Sequence, residues 1–564
     1  MRKIPFIFLL IIFFSPTLRA KDKLKKKQRP NIIFILTDDQ PYDYLGVTGN
    51  PYLKTPNIDK LANEGVLMTN AHVVSPICMP SRTSILLSQY ERTHHVDFNS
   101  GTAVSEKAWA NAYPMVLRKN GYFTGYIGKN HTPVGDGAYI SGVLEKSFDY
   151  FMAGHRHLGF YPKDRHKIFN DCKADTQVEI LEEVSKDFLE SNEFRLNRAT
   201  NFIKERPKEK PFFLNICFNL PHGASTSTMK MKPTDPATYR TLYRDIDIEL
   251  DSLYVARKDI VSPKLPKDVL RSENRQKGYY YSDNPSDCKE RYIRQLQACT
   301  GIDQLVGQVR DMLKKEHLDK NTIIVYMSDH GLFMGQQGLY GKALLYERCT
   351  RIPLIIYNPA DKIGRKDHRN DALVESIDLG TTFLSWAGIT APSTYQGKDI
   401  SQVYKDKSLS VRDHSYTENL WSTQFGNPRC ESVQNKEWKY IRYYKNENFG
   451  AQKKYQIMDK FHIKETDMLY AVHEGDIATY YDYLTASFSE PAVYEELYHI
   501  SKDRAEVDNL VHDKRYAKVL DELRQVWKQK VHQAYKEDYT NVVPWTYKTT
   551  QRVKDAKYSY LKQD

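Results

Sequence analysis

Residues 31–40 read NIIFILTDDQ. The apolar run Ile32–Leu36 has no alternation, and Thr37, Asp38 and Asp39 close it. A strand with one wet face alternates apolar and polar residues; an unbroken apolar run means burial on both faces, as in a parallel sheet covered by helices. Four further runs repeat the pattern: YFTGYIGKNH (122–131), PFFLNICFNLPHG (211–223), NTIIVYMSDHG (321–331) and PLIIYNP (353–359). The first three end in Gly128-Lys129-Asn130-His131, Pro221-His222-Gly223 and Ser328-Asp329-His330-Gly331.

Helical segments separate these runs. In TPNIDKLANEG, Thr55 is placed to cap, Pro56 fits the first turn, Ile58, Leu61 and Ala62 share a face, and Gly65 stops the helix. AYPMVLRKNG ends the same way at Gly121, and 289–316 carries Ile293, Leu296, Ile302, Leu305, Val306, Val309 and Leu313 at helical spacing. Alternating strands and helices predict an α/β fold, a doubly wound and mostly parallel sheet flanked by helices. Beyond a boundary near 400–411 the texture changes. EWKYIRYYKN (437–446) alternates and YAKVLDELRQVWKQKVHQAY is helical, which predicts a smaller α+β part with an antiparallel sheet. The division read here is 30–405 for the larger domain and 406–564 for the smaller, with 224–290 as an irregular insertion over one rim.

The first twenty residues stand apart. Arg2 and Lys3 precede IPFIFLLIIFF, and SPTLRA follows, the pattern of a cleaved secretory signal over 1–20. The run is short for a membrane span, so a soluble, secreted or periplasmic product with no stable membrane span is expected. The net charge of +11 is misleading. Setting aside the three basic residues of 1–20, and the six basic and one acidic residue of the leader KDKLKKKQR (21–29), leaves 73 basic and 70 acidic residues. A nearly neutral body with no zinc-finger, basic-zipper or RNA-binding pattern argues for no nucleic-acid partner. The seven cysteines form no dense framework, and their odd number leaves at least one thiol unpaired.

Ligands of open parallel sheets sit beyond the carboxyl ends of the strands, where every polar cluster above falls. Asp38 and Asp39 would face opposite sides of a regular strand, so both reach one ion only where the backbone leaves it. Asp329 and His330 repeat the arrangement on another strand, and three carboxylates this close would repel one another unless a cation lay among them. Oxygen ligands favour calcium or magnesium, and the histidine also admits manganese or zinc. Read singly, each cluster is equally well a polar turn. Cys78 opens Cys78-Met79-Pro80-Ser81-Arg82 and then TSILL, a helix start with unpaired N–H groups and a positive fork one turn in. Lys129, His131, His222 and Lys342 add donors for a tetrahedral oxyanion. The residues alone thus reach metal-assisted hydrolysis of a sulfate or phosphate ester.

Cys78-Met79-Pro80-Ser81-Arg82 matches the C-x-P-S-R signature, and with it the chain resembles the formylglycine-dependent type I sulfatases of the alkaline-phosphatase superfamily. The likeness runs through nearly all of 30–400 and, more weakly, through ELYHISKDRAEVDNL near the C-terminus. It implies an alkaline-phosphatase-like fold. It also implies that a maturation enzyme oxidises Cys78 to formylglycine, whose aldehyde hydrate supplies the nucleophile. By the same resemblance Asp38, Asp39, Asp329 and His330, with modified Cys78, hold one calcium ion. Arg82 steadies the hydrate, and Lys129, His222 and Lys342 hold the sulfate oxygens. His222 protonates the leaving alcohol, and His131 assists breakdown of the hemiacetal sulfate. Many members carry Asn at the position of His330. A histidine there, with VDFNS (96–100), points to the iduronate-2-sulfatase-like or polysaccharide sulfatase branch. Members also usually have glycine at the position of Ser88.

The expected function is therefore an exported sulfatase acting on sulfated carbohydrate. The alternatives are a phosphodiester or phosphonate monoester hydrolase of the same superfamily and an inactive carbohydrate-binding homologue. The 40 tyrosines, 23 phenylalanines and 6 tryptophans suit sugar stacking as well as ordinary packing. Loops 92–106, 150–172 and 224–290 are expected to shape the pocket, with Asp97, His155, Arg156 and His157 as sugar contacts.

Overall fold

The computed structural model of the chain describes residues 28–98, 102–155, 196–222, 241–266, 269, 282–361, 368–420, 428–444 and 487–544. The expected signal, the leader as far as residue 27, residues 224–240, 267–268 and 270–281 of the insertion, and Arg156 and His157 lie outside them, as does the side chain of His155.

Eight strands build the central sheet: Asn31–Asp38 (β1), Val66–Met68 (β2), Phe123–Asn130 (β3), Tyr150–His155 (β4), Phe212–Pro221 (β5), Thr322–Ser328 (β6), Leu354–Tyr357 (β7) and Arg369–Asn370 (β8). Their spatial order is β8-β2-β7-β6-β1-β5-β3-β4. The strand that opened the sequence reading lies at the centre, parallel to both neighbours, with Ile33 opposite Leu214 on one side and Ile324 on the other. Only β7 runs against the rest. Its run PLIIYNP is as apolar as the parallel strands because it too is covered on both faces, so composition could not reveal its direction.

The unbroken apolar run divides by parity. Ile32, Phe34 and Leu36 pack with Tyr113 and Leu117 of helix Tyr113–Lys119 and with Leu379 and Phe383 of helix Asp378–Trp386. The rings of Phe34, Tyr113 and Phe213 all lie 5.0–5.4 Å from Phe383. Ile33 and Ile35 face the opposite layer, where Ile58 and Leu61 of helix Pro56–Glu64 meet Ile302, Leu305 and Val309 of helix Pro285–Lys315. Each such side chain contributes about 1.5–3 kcal/mol by leaving water. Two full cores therefore clamp β1 and fix where its polar end emerges. The long helix starts four residues before the periodic stretch, at Pro285, because the Asn284 side chain accepts the Asp287 N–H and caps it.

Strands Ser415–Asn419 (β9), Cys430–Gln434 (β10), Lys439–Tyr443 (β11) and Tyr494–Tyr498 (β12) form the second, antiparallel sheet. Helix Ala517–Ala534 covers it with Leu520, Leu523, Trp527 and Val531. The two sheets are joined by Arg92, wholly buried, which ion-pairs with Glu418 (2.6 Å) and Glu431, both equally buried. Tyr444 and Trp527 donate to the other Glu431 oxygen at 2.7 and 2.6 Å. The chain then returns to the larger sheet's side, where Val542–Pro544 pairs with Thr102–Val104. Among the described residues no helix is long and apolar enough to cross a membrane.

Candidate functional site

Six chain segments deliver the site to one rim of the sheet. The ladder between β1 and β5 slips between Leu36 and Asp38, and the next residue, Asp39, has φ of +60°. That left-handed residue turns the backbone out of the strand, so two adjacent carboxylates point into one space. The Asp39 N–H is held by Asp329 Oδ1 at 3.2 Å, and the Asp329 N–H by Thr37 O at 3.0 Å. The ends of β1 and β6 are thus locked together.

Cys78 is the first residue of helix Cys78–Leu87, preceded by extended Ile77, and the whole helix is buried. Its Sγ lies 3.4 Å from Asp38 Oδ1, 3.3 Å from His330 Nε2 and 3.1 Å from Lys342 Nζ. At the other end, Ser88 takes the left-handed C-cap conformation at φ +56°. Glycine adopts that geometry at no steric cost. Here the serine hydroxyl donates to Ile377 O at 2.5 Å, which offsets part of the strain.

Arg82, one turn into the helix, reaches three other segments. Its Nε donates to Asp329 Oδ2 at 2.7 Å, Nη1 to Lys129 O at 3.3 Å and Nη2 to Phe218 O at 3.2 Å. Nη2 also lies 3.7 Å from Asp38 Oδ2. Ser81, whose part the sequence reading passed over, donates to Asp329 O at 2.7 Å. Lys129 pairs with Asp38, and Lys342 with Asp39 Oδ1 at 2.8 Å. His330 Nδ1 is 3.3 Å from Asp39 Oδ1, and His222 Nε2 is 3.6 Å from Asp39 Oδ2. All these residues are at most 5 % exposed.

Donor atoms of Asp38, Asp39, Cys78 and His330 lie within 4.8 Å of one another. Asp329 stands beside this group rather than in it: its oxygens are taken by Arg82 and the Asp39 N–H, with Oδ1 3.6 Å from His330 Nε2. Asp39 Oδ2 is buried with no hydrogen-bond partner among the described residues. An orphaned carboxylate oxygen within a set of close anionic donors fits a divalent cation. The fixed charges agree. Asp38, Asp39 and Asp329 are matched by Arg82, Lys129 and Lys342, so a dication would leave the hollow positive and suited to an anion.

Burial raises the Asp38 carboxyl, but the charges around it, led by Lys129 and including Arg82, overcome this and hold it well below its usual range. Asp39, with fewer cations, is raised by burial despite Lys342. Burial and the Asp38 charge push the Cys78 thiol up to about 12. At neutral pH it is a protonated, poor nucleophile. Burial and Lys342 lower His222, which is therefore a neutral imidazole with one N–H to donate.

His131 follows β3 and is buried, its ring edge-on to Phe98 at 5.6 Å. Asp97, expected at a sugar, is only 2 % exposed, and its carboxylate accepts the N–H of Phe98 at 2.5 Å. That placement does not suit a sugar contact.

The family model described as Sulfatase matches residues 30–389, and one described as N-sulphoglucosamine sulphohydrolase, C-terminal, matches 335–460. The chain is 27% identical over 448 residues to an arylsulfatase of Clostridium perfringens, covering 73% of this chain and 85% of that one. It is 27% identical over 441 residues to an N-acetylglucosamine-6-O-sulfatase of Bacteroides thetaiotaomicron, covering 70% and 74%. Among solved structures, BT4656 in complex with its substrate D-glucosamine-2-N,6-O-disulfate superposes with a TM-score of 0.58 at 21% identity, over 91% of this chain and 99% of that one. That likeness speaks for a shared, alkaline-phosphatase-like fold.

Proposed function

We propose, from the premise that this chain belongs to the sulfatase family and is a sulfuric ester hydrolase, that it removes sulfate from sulfated carbohydrate using formylglycine made from Cys78 and one calcium ion. The observation that carries this reading is the placement of Cys78 Sγ, 3.1–3.4 Å from Asp38, His330 and Lys342 at a helix start. A thiol raised to about 12 has no use as a thiolate there. An oxygen in its place suits a hard cation, as Asp38 and Asp39 do. The relatives described as acting on sulfated sugars support the substrate class.

Asp38, Asp39 and His330 would hold the ion, with Asp329 beside them. Bound there, the ion would polarise the sulfate, and the hydrate of the oxidised residue 78 would supply the attacking hydroxyl. The chain's own groups do the rest. Arg82 fixes Asp329 against the ends of β3 and β5. Lys129 and Lys342 are positioned to exchange their carboxylate partners for sulfate oxygens, which keeps the buried charges paired throughout. His222 presents its N–H toward the leaving oxygen, and His131 takes the proton needed to regenerate residue 78. A signal at 1–20 delivers the chain outside the cytoplasm, and a maturation enzyme is its required partner. The test is desulfation of a panel of defined sulfated oligosaccharides by the wild type and by Cys78→Ala. Release of sulfate by the wild type alone supports the reading, and equal release by both removes it.

A further inference from the structure

A cavity of about 250 Å³ opens on the same rim, walled by Tyr42, Phe333, Gln337, Arg351 and Arg504. Tyr42 lies three residues past Asp39, and Phe333 three past His330. We propose that this cavity holds a second anionic group of the glycan, a sulfate or a carboxylate, while the scissile sulfate sits among the Cys78 cluster. The inference rests on the sulfatase reading and adds to it a subsite outside the reacting centre.

Arg351 carries the argument. Its Nε donates to Thr69 O at 2.8 Å and its guanidinium stacks on the Tyr42 ring, 3.6 Å from the centroid. Both contacts aim the fork and leave its two terminal nitrogens with no partner among the described residues. The carboxylates of this wall are engaged elsewhere. Glu347 takes His72 at 3.0 Å and Lys439 at 3.4 Å on one oxygen and Arg504 at 2.9 Å on the other. Glu506 takes Lys439 at 3.0 Å and the Glu347 N–H at 2.6 Å. Asp43 is tied to Arg348 at 2.5 Å, and Asp251 caps its own turn through the Leu253 N–H. Burial lowers the Arg351 pKa, with the nearby Glu347 charge opposing the shift and the Arg504 charge adding to it. Arg504 is 38 % exposed, and both of its side-chain hydrogen bonds, to Glu347 Oε2 at 2.9 Å and Asn70 Oδ1 at 3.3 Å, are made by one nitrogen, Nη1. A planar fork stacked on an aromatic ring, with a second guanidinium beside it, matches the two-oxygen face of a carboxylate or sulfate.

A neighbouring cavity of about 290 Å³ shares Asp43, Asp251, Gln336 and Arg348 with this one and is lined by Tyr52, Tyr254 and Tyr292. Together they form a trough with an aromatic stretch suited to a sugar ring and, at Arg351 and Arg504, guanidinium groups suited to its charged substituent.

The test uses the full, matured enzyme hydrolysing 4-nitrophenyl sulfate, with sulfated disaccharides as competitors: one monosulfated with a neutral partner sugar, one with a sulfate and a carboxylate, one with two sulfates. The better dianionic competitor is expected to bind at least tenfold more tightly than the monosulfated one. That ratio should fall to near one in Arg504→Ala and in Arg351→Gln. Which dianionic compound wins identifies the group. Arg504 is exposed enough that its alanine variant folds whatever happens to Arg351→Gln. No advantage for either dianionic compound, or a ratio unchanged in Arg504→Ala, overturns the subsite while the sulfatase reading stands. A wild type that cleaves no sulfate ester overturns both.

Discussion

Arg82→Lys isolates geometry from charge. The guanidinium serves Asp329 and, through two further nitrogens, the carbonyls of Lys129 and Phe218, near the ends of neighbouring strands. A lysine keeps the positive charge and one contact, most favourably the 2.7 Å pair with Asp329. Its single nitrogen cannot span to both carbonyls. Two buried carbonyls then lose their donors, each at roughly 1–3 kcal/mol, and some relief comes from their strand ladders. The expected destabilisation is about 2–4 kcal/mol, or a melting temperature lower by about 2–4 °C at roughly 1 °C per kcal/mol for a chain of 564 residues. Asp329 and the strand ends would shift by a fraction of an ångström to an ångström, and a displacement of that size costs on the order of 10²-fold in rate. Scanning calorimetry and kcat/KM on an aryl sulfate measure the two effects. A variant melting within about 1 °C of wild type and retaining a third or more of its activity would refute the account of Arg82 as the bracket of the site.

Four further expectations follow from the same contacts. Peptide mass analysis of mature enzyme should show residue 78 lighter by about 18 Da, the change from thiol to aldehyde; an unaltered thiol in fully active enzyme removes the nucleophile assigned here. In unmatured chain a thiol at about 12 is ionised to roughly one part in 10⁴ at pH 8 and rises tenfold per pH unit, so iodoacetamide should leave Cys78 unlabelled in native protein and label it after unfolding; equal labelling contradicts the buried cluster. Chelation should abolish turnover and calcium restore it, with calcium at a hundred times its Kd stabilising the fold by about 2.7 kcal/mol in calorimetry; full activity after exhaustive chelation rules the ion out. Arg92→Met strands Glu418 and Glu431 in the interior and should cost about 3–5 kcal/mol, with part regained on adding Glu418→Gln and Glu431→Gln; a single variant as stable as wild type would show the pairs to be dispensable.

Much of this arrangement was legible before any coordinates. Apolar runs that never alternate specified a covered sheet, and the four parallel runs ended in residues now found at its rim. Cys78 and Arg82 were readable because a helix start and one turn of helix fix their spacing locally. What stayed hidden depends on contacts remote in the chain. The direction of β7 leaves no trace in PLIIYNP, since burial on both faces erases the period. The engagement of Asp329 by Arg82 and the Asp39 N–H, and its place beside the donor group, needed the ends of two strands brought together. The role of Ser81, and the left-handed turn at Ser88 that explains a usual glycine, were set by backbone geometry that no side-chain pattern announces. The cavity that joins Tyr42, Arg351 and Arg504, residues far apart in the chain, had no local signal.

The enclosure of Cys78 has a consequence for biosynthesis. The residue is wholly shielded, and two of its wall groups, His330 and Lys342, lie 252 and 264 residues further along the chain. Any enzyme that converts this thiol must meet it while the nascent polypeptide is still open, because afterwards no catalyst of protein size gains entry. At 5–20 residues per second, the ribosome needs roughly 13–50 s to produce the segment that seals it. Expression conditions that speed elongation or hasten folding would shorten that interval and leave a well-folded fraction of the molecules permanently immature.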